Sequence, residues 1–264
     1  MQTLTVAVLQ TSLHWQDSAA NRAHFSELLP QALPADVIVL PEMFNSGFSM
    51  QAEVFAESMS GPTMQWLREQ AAQLDVAICG SLAIRLDAPV DGHSGVVNRL
   101  VFVLPSGEVE YYDKRHLFRM GQEHRHYQAG LQRKIVSFRG MRFLLQVCYD
   151  LRFPVFSRNR GDYDAMLYVA NWPQERSRIW STLLAARAIE NQAFVIACNR
   201  VGQDGNQLNY SGDSVVLDFV GLPLTSLPAN AASVLKAQLD VLQLQHFRQQ
   251  FPAALDADTF ELIE

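Results

Sequence analysis

Cysteine is scarce in this chain: three residues, Cys79, Cys148 and Cys198, among 264. An odd, widely spaced set does not build a disulfide framework. With no signal-peptide pattern at the start, the expectation is a reducing cytoplasm. No apolar stretch approaches the roughly 20 residues of a membrane helix, so the bilayer is not expected as a partner. Basic charge is also in deficit. A net charge of −6 and a pI near 5.6 argue against nucleic acid as a partner. No basic run, zinc-finger spacing or RNA-binding aromatic motif offsets that balance. A phosphate-cradling loop is missing too, because Gly202-Gln203-Asp204-Gly205-Asn206 lacks the helix and lysine that would follow it. His124-Arg125-His126 stands beside Glu123, but the other histidines are scattered, so neither a metal nor a cofactor is expected. Linkers, low-complexity tracts and repeats of fixed period are absent, which makes residues 1–264 one expected domain. Hydrophobic residues, at 48%, suffice for a two-layer core.

Against these absences, Leu145-Gln146-Val147-Cys148-Tyr149-Asp150-Leu151-Arg152-Phe153-Pro154 sets a cysteine at the end of an apolar run. Residues 143–147 read as a buried strand, and Pro154 suits the first turn of a helix. Cys148 then stands at a strand-to-helix corner, where free backbone N–H groups can bind an anion. A thiol so placed can be a nucleophile if a positive or basic group is near. The plain alternative is an inert core cysteine, the commoner fate of a free thiol. That reading is given to Cys79 and Cys198, which lie inside strand-like runs.

Two segments supply the missing groups. In Val37-Ile38-Val39-Leu40-Pro41-Glu42-Met43-Phe44, proline ends a strand and puts Glu42 at its C-terminal end, where open α/β sheets hold ligands. A carboxylate partly stripped of water beside Met43 and Phe44 is a fit general base. In Tyr111-Tyr112-Asp113-Lys114-Arg115-His116-Leu117-Phe118, Lys114 sits among aromatic and apolar residues. It can steady an oxyanion and lower the thiol pKa. The alternatives are a solvated glutamate at a loop start and a surface lysine with a packed stem. Base, ammonium and thiol together are what amide hydrolysis needs, with the Tyr149 N–H as a further oxyanion donor. A papain-like arrangement is disfavoured, because no histidine has a context linking it to Cys148.

These segments occur in one order with Val6-Ala7-Val8-Leu9-Gln10, Asn171-Trp172-Pro173 and Ala185-Ala186-Arg187-Ala188-Ile189-Glu190-Asn191. In that order, over nearly the whole chain, the sequence resembles the nitrilase, or carbon–nitrogen hydrolase, superfamily. Within it the chain is most similar to the bacterial omega-amidases, on Asn171-Trp172-Pro173 and the Lys114–Phe118 stretch. The resemblance implies a thiol amidase acting on small amides such as 2-oxoglutaramate. It implies Glu42 as base, Lys114 as oxyanion lysine, Cys148 as nucleophile, and a second glutamate for which Glu123 is the fitting position. It also implies a four-layer α-β-β-α sandwich, usually paired as a homodimer. Alternatives that stay open are another carbon–nitrogen hydrolase or a non-catalytic binding protein on the same fold.

For substrate binding, Arg152, Arg115 and Arg125 are candidate cations. Arg152 could instead pair with Asp150 or Glu190. Phe44, Tyr149 and Trp172 are candidate walls. Phe153, Phe156 and Trp180 read as core. Periodicity places strands at 4–9, 36–40, 76–84, 142–147, 165–169, 193–199 and 233–239, and helices at 18–30, 174–191 and 241–250, with a further helix opened by Ser60-Gly61-Pro62-Thr63 and running to about Leu74. A helix is expected to start at Pro154, and Ser18 is the expected cap of the first helix. Hairpins are expected around Pro105-Ser106-Gly107-Glu108 and Gly221-Leu222-Pro223. The mixture points to two sheets face to face with helices outside.

Overall fold

Short runs of β-branched residues pair into two sheets, and the amphipathic segments between them cover the outer faces. The computed structural model describes residues 3–88 and 95–262. The first half runs β1 (Thr3–Gln10), α1 (Ser18–Leu28), β2 (Val37–Val39), α2 (Ala52–Phe55), α3 (Pro62–Leu74), β3 (Ala77–Arg85), β4 (Val96–Val103) and β5 (Val109–Asp113). The second runs β6 (Ile135–Phe138), β7 (Met141–Val147), α4 (Pro154–Ser157), β8 (Ala165–Ala170), α5 (Ser177–Asn191) and β9 (Phe194–Asn199). A small hairpin of β10 (Val201–Gln203) and β11 (Asn209–Ser211) follows. After it come β12 (Val215–Leu217), β13 (Pro223–Ser226), β14 (Ser233–Asp240) and α6 (Val241–Gln250).

One sheet has the order β14-β1-β2-β3-β4-β5 and the other β13-β12-β9-β8-β7-β6. Each has a parallel centre, β1-β2-β3 or β7-β8-β9, flanked by antiparallel strands. The period of two in the strands decides the layers. On β1, Val6 and Val8 face the other sheet, whereas Ala7 and Leu9 face α1 and α3. On β8, Leu167 and Val169 point inward, while Met166, Tyr168 and Ala170 pack against Trp180, Leu184 and Ala188 of α5. The result is the expected α-β-β-α sandwich, with its largest apolar core between the sheets.

Three local expectations change. The cap of α1 is Asp17, whose carboxylate accepts the Ala20 N–H at 2.9 Å, and not Ser18. The helix begun by Pro154 lasts one turn. The Asn159 side chain bonds the carbonyls of Tyr163 and Asn191 (3.2 and 3.0 Å) and redirects the chain into β8. The helix expected from 174 begins at Ser177, after a separate 3₁₀ turn at Gln174–Arg176. Among the described residues, no helix is long and apolar enough to cross a membrane.

Strand direction gathers the polar residues at one end. β5 is antiparallel to β4, which is antiparallel to β3, so β5 points the same way as β2. The segments leaving β2 and β5, and those leaving β7 and β8 of the other sheet, meet at C-terminal strand ends.

Candidate active site

Each central side chain is aimed by the backbone just after a strand. Beyond β2, Met43 takes a left-handed conformation (φ 43°). Ser81 of β3 fixes the turn, its Oγ accepting the Met43 N–H (2.9 Å) and its carbonyl the Phe44 N–H (3.1 Å). Lys114 directly follows β5. Its N–H donates to the Asn98 carbonyl and its own carbonyl accepts the Gly130 N–H, both at 2.9 Å. A Cβ on Gly130 would lie 2.1 Å from the Asp113 carbonyl oxygen, so only glycine lets the chain pass here. Cys148 directly follows β7, also left-handed at φ 44°. That conformation costs a non-glycine residue about 1–3 kcal/mol and must be held by its surroundings. Asp150 holds it. One oxygen accepts the Val147 N–H and the Tyr112 hydroxyl, both at 2.9 Å. The other accepts the His116 N–H (3.1 Å) and pairs with its ring Nδ1 (2.7 Å). The cysteine turn is thereby tied to the loop that carries Lys114.

These turns converge on one buried network. Lys114 Nζ donates to Glu42 Oε1 at 2.9 Å and lies 3.0 Å from both oxygens of Glu123. Asn98 on β4 is a second bridge: its Nδ2 donates to Glu42 Oε1 (2.8 Å) and Glu123 Oε1 (3.3 Å). The other Glu42 oxygen accepts the Asn171 N–H at 2.8 Å, while the Asn171 side chain donates to the Glu42 carbonyl at 2.5 Å. Glu123 Oε2 accepts the Phe118 N–H at 2.6 Å. Glu42, Lys114, Glu123 and Asn98 are fully buried, whereas Cys148 is half-buried because its thiol opens onto a cavity.

Electrostatics set the protonation states. Burial works against the Lys114 ammonium, but the carboxylates of Glu123 and Glu42 outweigh it and raise its pKa. Burial raises Glu123, with Lys114 opposing. Burial also pushes the Cys148 thiol well above its usual range. The negative Glu42 adds to that rise, and it also accepts a hydrogen bond from the thiol. Lys114 offsets it only in part. The thiol is therefore held towards its neutral form beside the carboxylate that accepts its hydrogen bond, with Lys114 pulling the other way. A thiol, an adjacent proton acceptor and a buried ammonium are the parts of an acyl-transfer site.

The cavity encloses about 130 Å³, small beside the 300–1,000 Å³ of pockets for drug-sized ligands. Of the residues singled out in the sequence, Cys148, Tyr149, Arg152 and Trp172 line it. Phe44 does not. The Ser81-pinned turn sends its ring to the outer layer, against Phe25 and Trp66, so it packs core under α1 and α3. Arg115 turns out to the Leu131 carbonyl (2.6 Å), and Arg125 lies in a separate depression near Ala52. Sequence reasoning missed Asn98, Phe118, Arg176 and the β10–β11 hairpin, whose Asp204 and Tyr210 form a wall. Asn98 left a trace, a polar residue inside the apolar run Val96–Leu104.

Asn98 holds both carboxylates through one amide. Asn98→Ala is expected to lower kcat by about 10- to 100-fold, the scale of losing a hydrogen bond to a charged group. Asn98→Asp should be worse, since it adds a third carboxylate. Steady-state kinetics of the two variants check this, and equal kcat in Asn98→Ala and the parent would refute it.

The sequence profile of the carbon-nitrogen hydrolase family matches residues 5–249. The chain is 51% identical over 265 aligned positions to the omega-amidase YafV of Yersinia enterocolitica, covering 100% of both chains. It is 30% identical to the 2-oxoglutaramate amidase of Bacillus subtilis, covering 94% of this chain and 95% of that one. Among solved structures it is similar to a CN-hydrolase superfamily protein of Xanthomonas campestris that carries an arsenic adduct in its active site. The TM-score is 0.94 at 48% identity, covering 99% of this chain and 100% of that one.

Proposed function

Because the chain belongs to the carbon–nitrogen hydrolase family, we propose that it works as an omega-amidase. The reaction hydrolyses the terminal amide of a short dicarboxylic acid monoamide, such as 2-oxoglutaramate, to ammonia and the acid. The observation that carries this reading is the Glu42–Lys114–Glu123 network set against the Cys148 thiol at the floor of a small cavity.

The neutral thiol dictates the first step. As sulfur attacks the amide carbon, the thiol proton passes to Glu42, so no free thiolate has to form in the buried site. The developing oxyanion is met by the Lys114 ammonium and by the Tyr149 N–H, a first-turn amide of the 3₁₀ turn Cys148–Arg152. Glu42 then delivers the proton to the leaving nitrogen, and ammonia departs from a thioester. Water attacks that thioester, giving its proton to Glu42. The collapse returns the proton to sulfur and releases the acid. Glu123 stays ion-paired throughout, orienting Lys114 and, through the Phe118 N–H, the loop that bears it.

A panel of small amides tests the substrate class. Succinamate and 2-oxoglutaramate should exceed neutral butyramide in kcat/KM by about 10²-fold or more, because remote binding energy is used at the reacting centre. Ammonia release measures it. Equal rates on butyramide would point to an aliphatic amidase, and rapid hydrolysis of a simple nitrile to a nitrilase.

A further inference from the structure

The geometry points to a two-arginine clamp, Arg152 and Arg176, that seats the far carboxylate of the substrate at the cavity mouth and decides which end of the molecule meets Cys148. The clamp rests on the omega-amidase reading for the identity of that carboxylate.

Both arginines line the cavity, and both are half-buried, unlike the fully buried Glu42 and Lys114 at its floor. They occupy its open end. Their guanidinium carbons stand over two aromatic rings of the same cavity, Arg152 5.3 Å from the Trp172 centroid and Arg176 5.5 Å from that of Phe118. The Trp172 indole N–H also donates to the Arg176 carbonyl at 2.8 Å, which ties the ring beside one arginine to the backbone of the other. A guanidinium resting near a ring face by cation–π attraction keeps N–H donors available to a further partner.

Among the described residues no carboxylate satisfies those donors. Asp150, an obvious partner for Arg152, is taken by Val147, Tyr112 and His116. Glu190 is taken by Arg187 at 2.9 Å. Among the described residues neither Arg152 nor Arg176 forms an ion pair, whereas Arg99, Arg133, Arg142 and Arg248 do. Two planar forks, prepositioned and unpaired, are suited to bidentate capture of a carboxylate.

The floor supplies the other half of the argument. Glu42 and Glu123 against Lys114 leave one negative charge in excess there. A monoamide entering with its carboxylate first meets repulsion at the floor. Entering with its amide first, it sets an uncharged group over Cys148 and its anion between the arginines. The gradient from cationic mouth to anionic floor thus orders the substrate before any step of chemistry.

Butyrate, a monocarboxylate without an amide, is the probe. It should protect Cys148 from alkylation by iodoacetamide, and the protection constant is taken as the ratio of rates with and without butyrate in each variant, which cancels changes in thiol reactivity. Arg152→Gln and Arg176→Gln should each weaken protection about 10- to 100-fold, with the lysine variants intermediate. In the same variants the preference for succinamate over butyramide should fall towards unity. Undiminished protection in the double variant, or no protection in the parent, overturns the clamp. Clamp-dependent protection in a parent that shows no preference for acid amides would instead overturn the omega-amidase reading and keep the clamp.

Discussion

Cys148→Ala is expected to abolish ammonia release, by on the order of 10⁵-fold or more, while the thermal unfolding midpoint stays close to that of the parent. Loss of a covalent nucleophile has that scale, because the residual rate comes only from binding and oxyanion stabilisation. The fold should persist, since the side chain faces the cavity and the turn is held from behind by Asp150. Cys148→Ser should be nearly as inactive. The thiol already requires Glu42 to take its proton, and a hydroxyl in the same buried site is harder still to deprotonate. Cys79→Ala is the control: Cys79 is fully buried between the sheets, and its loss should lower stability and leave turnover. A dead Cys79→Ala beside an active Cys148→Ala would reassign the nucleophile.

Lys114→Met should combine the second largest loss of activity with a large loss of stability. Among the described residues the ammonium is the only cation touching Glu42 and Glu123, so its removal leaves the two carboxylates facing each other with neutral donors alone. Breaking a buried pair from one side costs about 3–5 kcal/mol. Loss of an oxyanion donor costs about 10²–10³ in kcat. The two effects separate in the double variant Lys114→Met/Glu123→Gln. Neutralising Glu123 removes one unpaired charge and should return most of the stability, read by denaturant melts, but none of the rate. Alkylation of Cys148 should also slow in Lys114→Met, because Lys114 is the group that pulls the thiol pKa down. Recovery of turnover in the double variant, or unchanged alkylation in the single one, would reject the role of the ammonium.

Glu42 and Cys148 stand out in the sequence because each follows an apolar run that becomes a strand, and Lys114 because it sits among aromatic and apolar residues where β5 ends; a strand end in an α/β sheet is a place where side chains are presented to a ligand. The strands themselves were legible for the same reason: the run expected at 142–147 is β7, Met141–Val147. Phe44 shows the limit. It lies two residues beyond Glu42, and only the φ of Met43 and its hydrogen bond to Ser81 decide that its ring leaves the site. Arg176 was hidden among Glu175, Arg176 and Arg178, which read as a solvated helix start. The 3₁₀ turn before α5 is what swings it over Phe118. The β10–β11 hairpin carries residues typical of a loop, so its place beside the cavity is set by tertiary packing and not by local preference.

The division of the site between two sheets bears on how the protein is made. Glu42 and Lys114 leave strands of one sheet, Cys148 and Asn171 leave strands of the other, and the first sheet is completed at its edge only when β14 pairs with β1 from Thr3↔Asp240 to Gln10↔Ser233. A chain still on the ribosome can hold the thiol, or the base, or both, without their being neighbours. The thiol and the base become neighbours only when the two sheets pack face to face, so the packing that closes the apolar core between them also assembles the site.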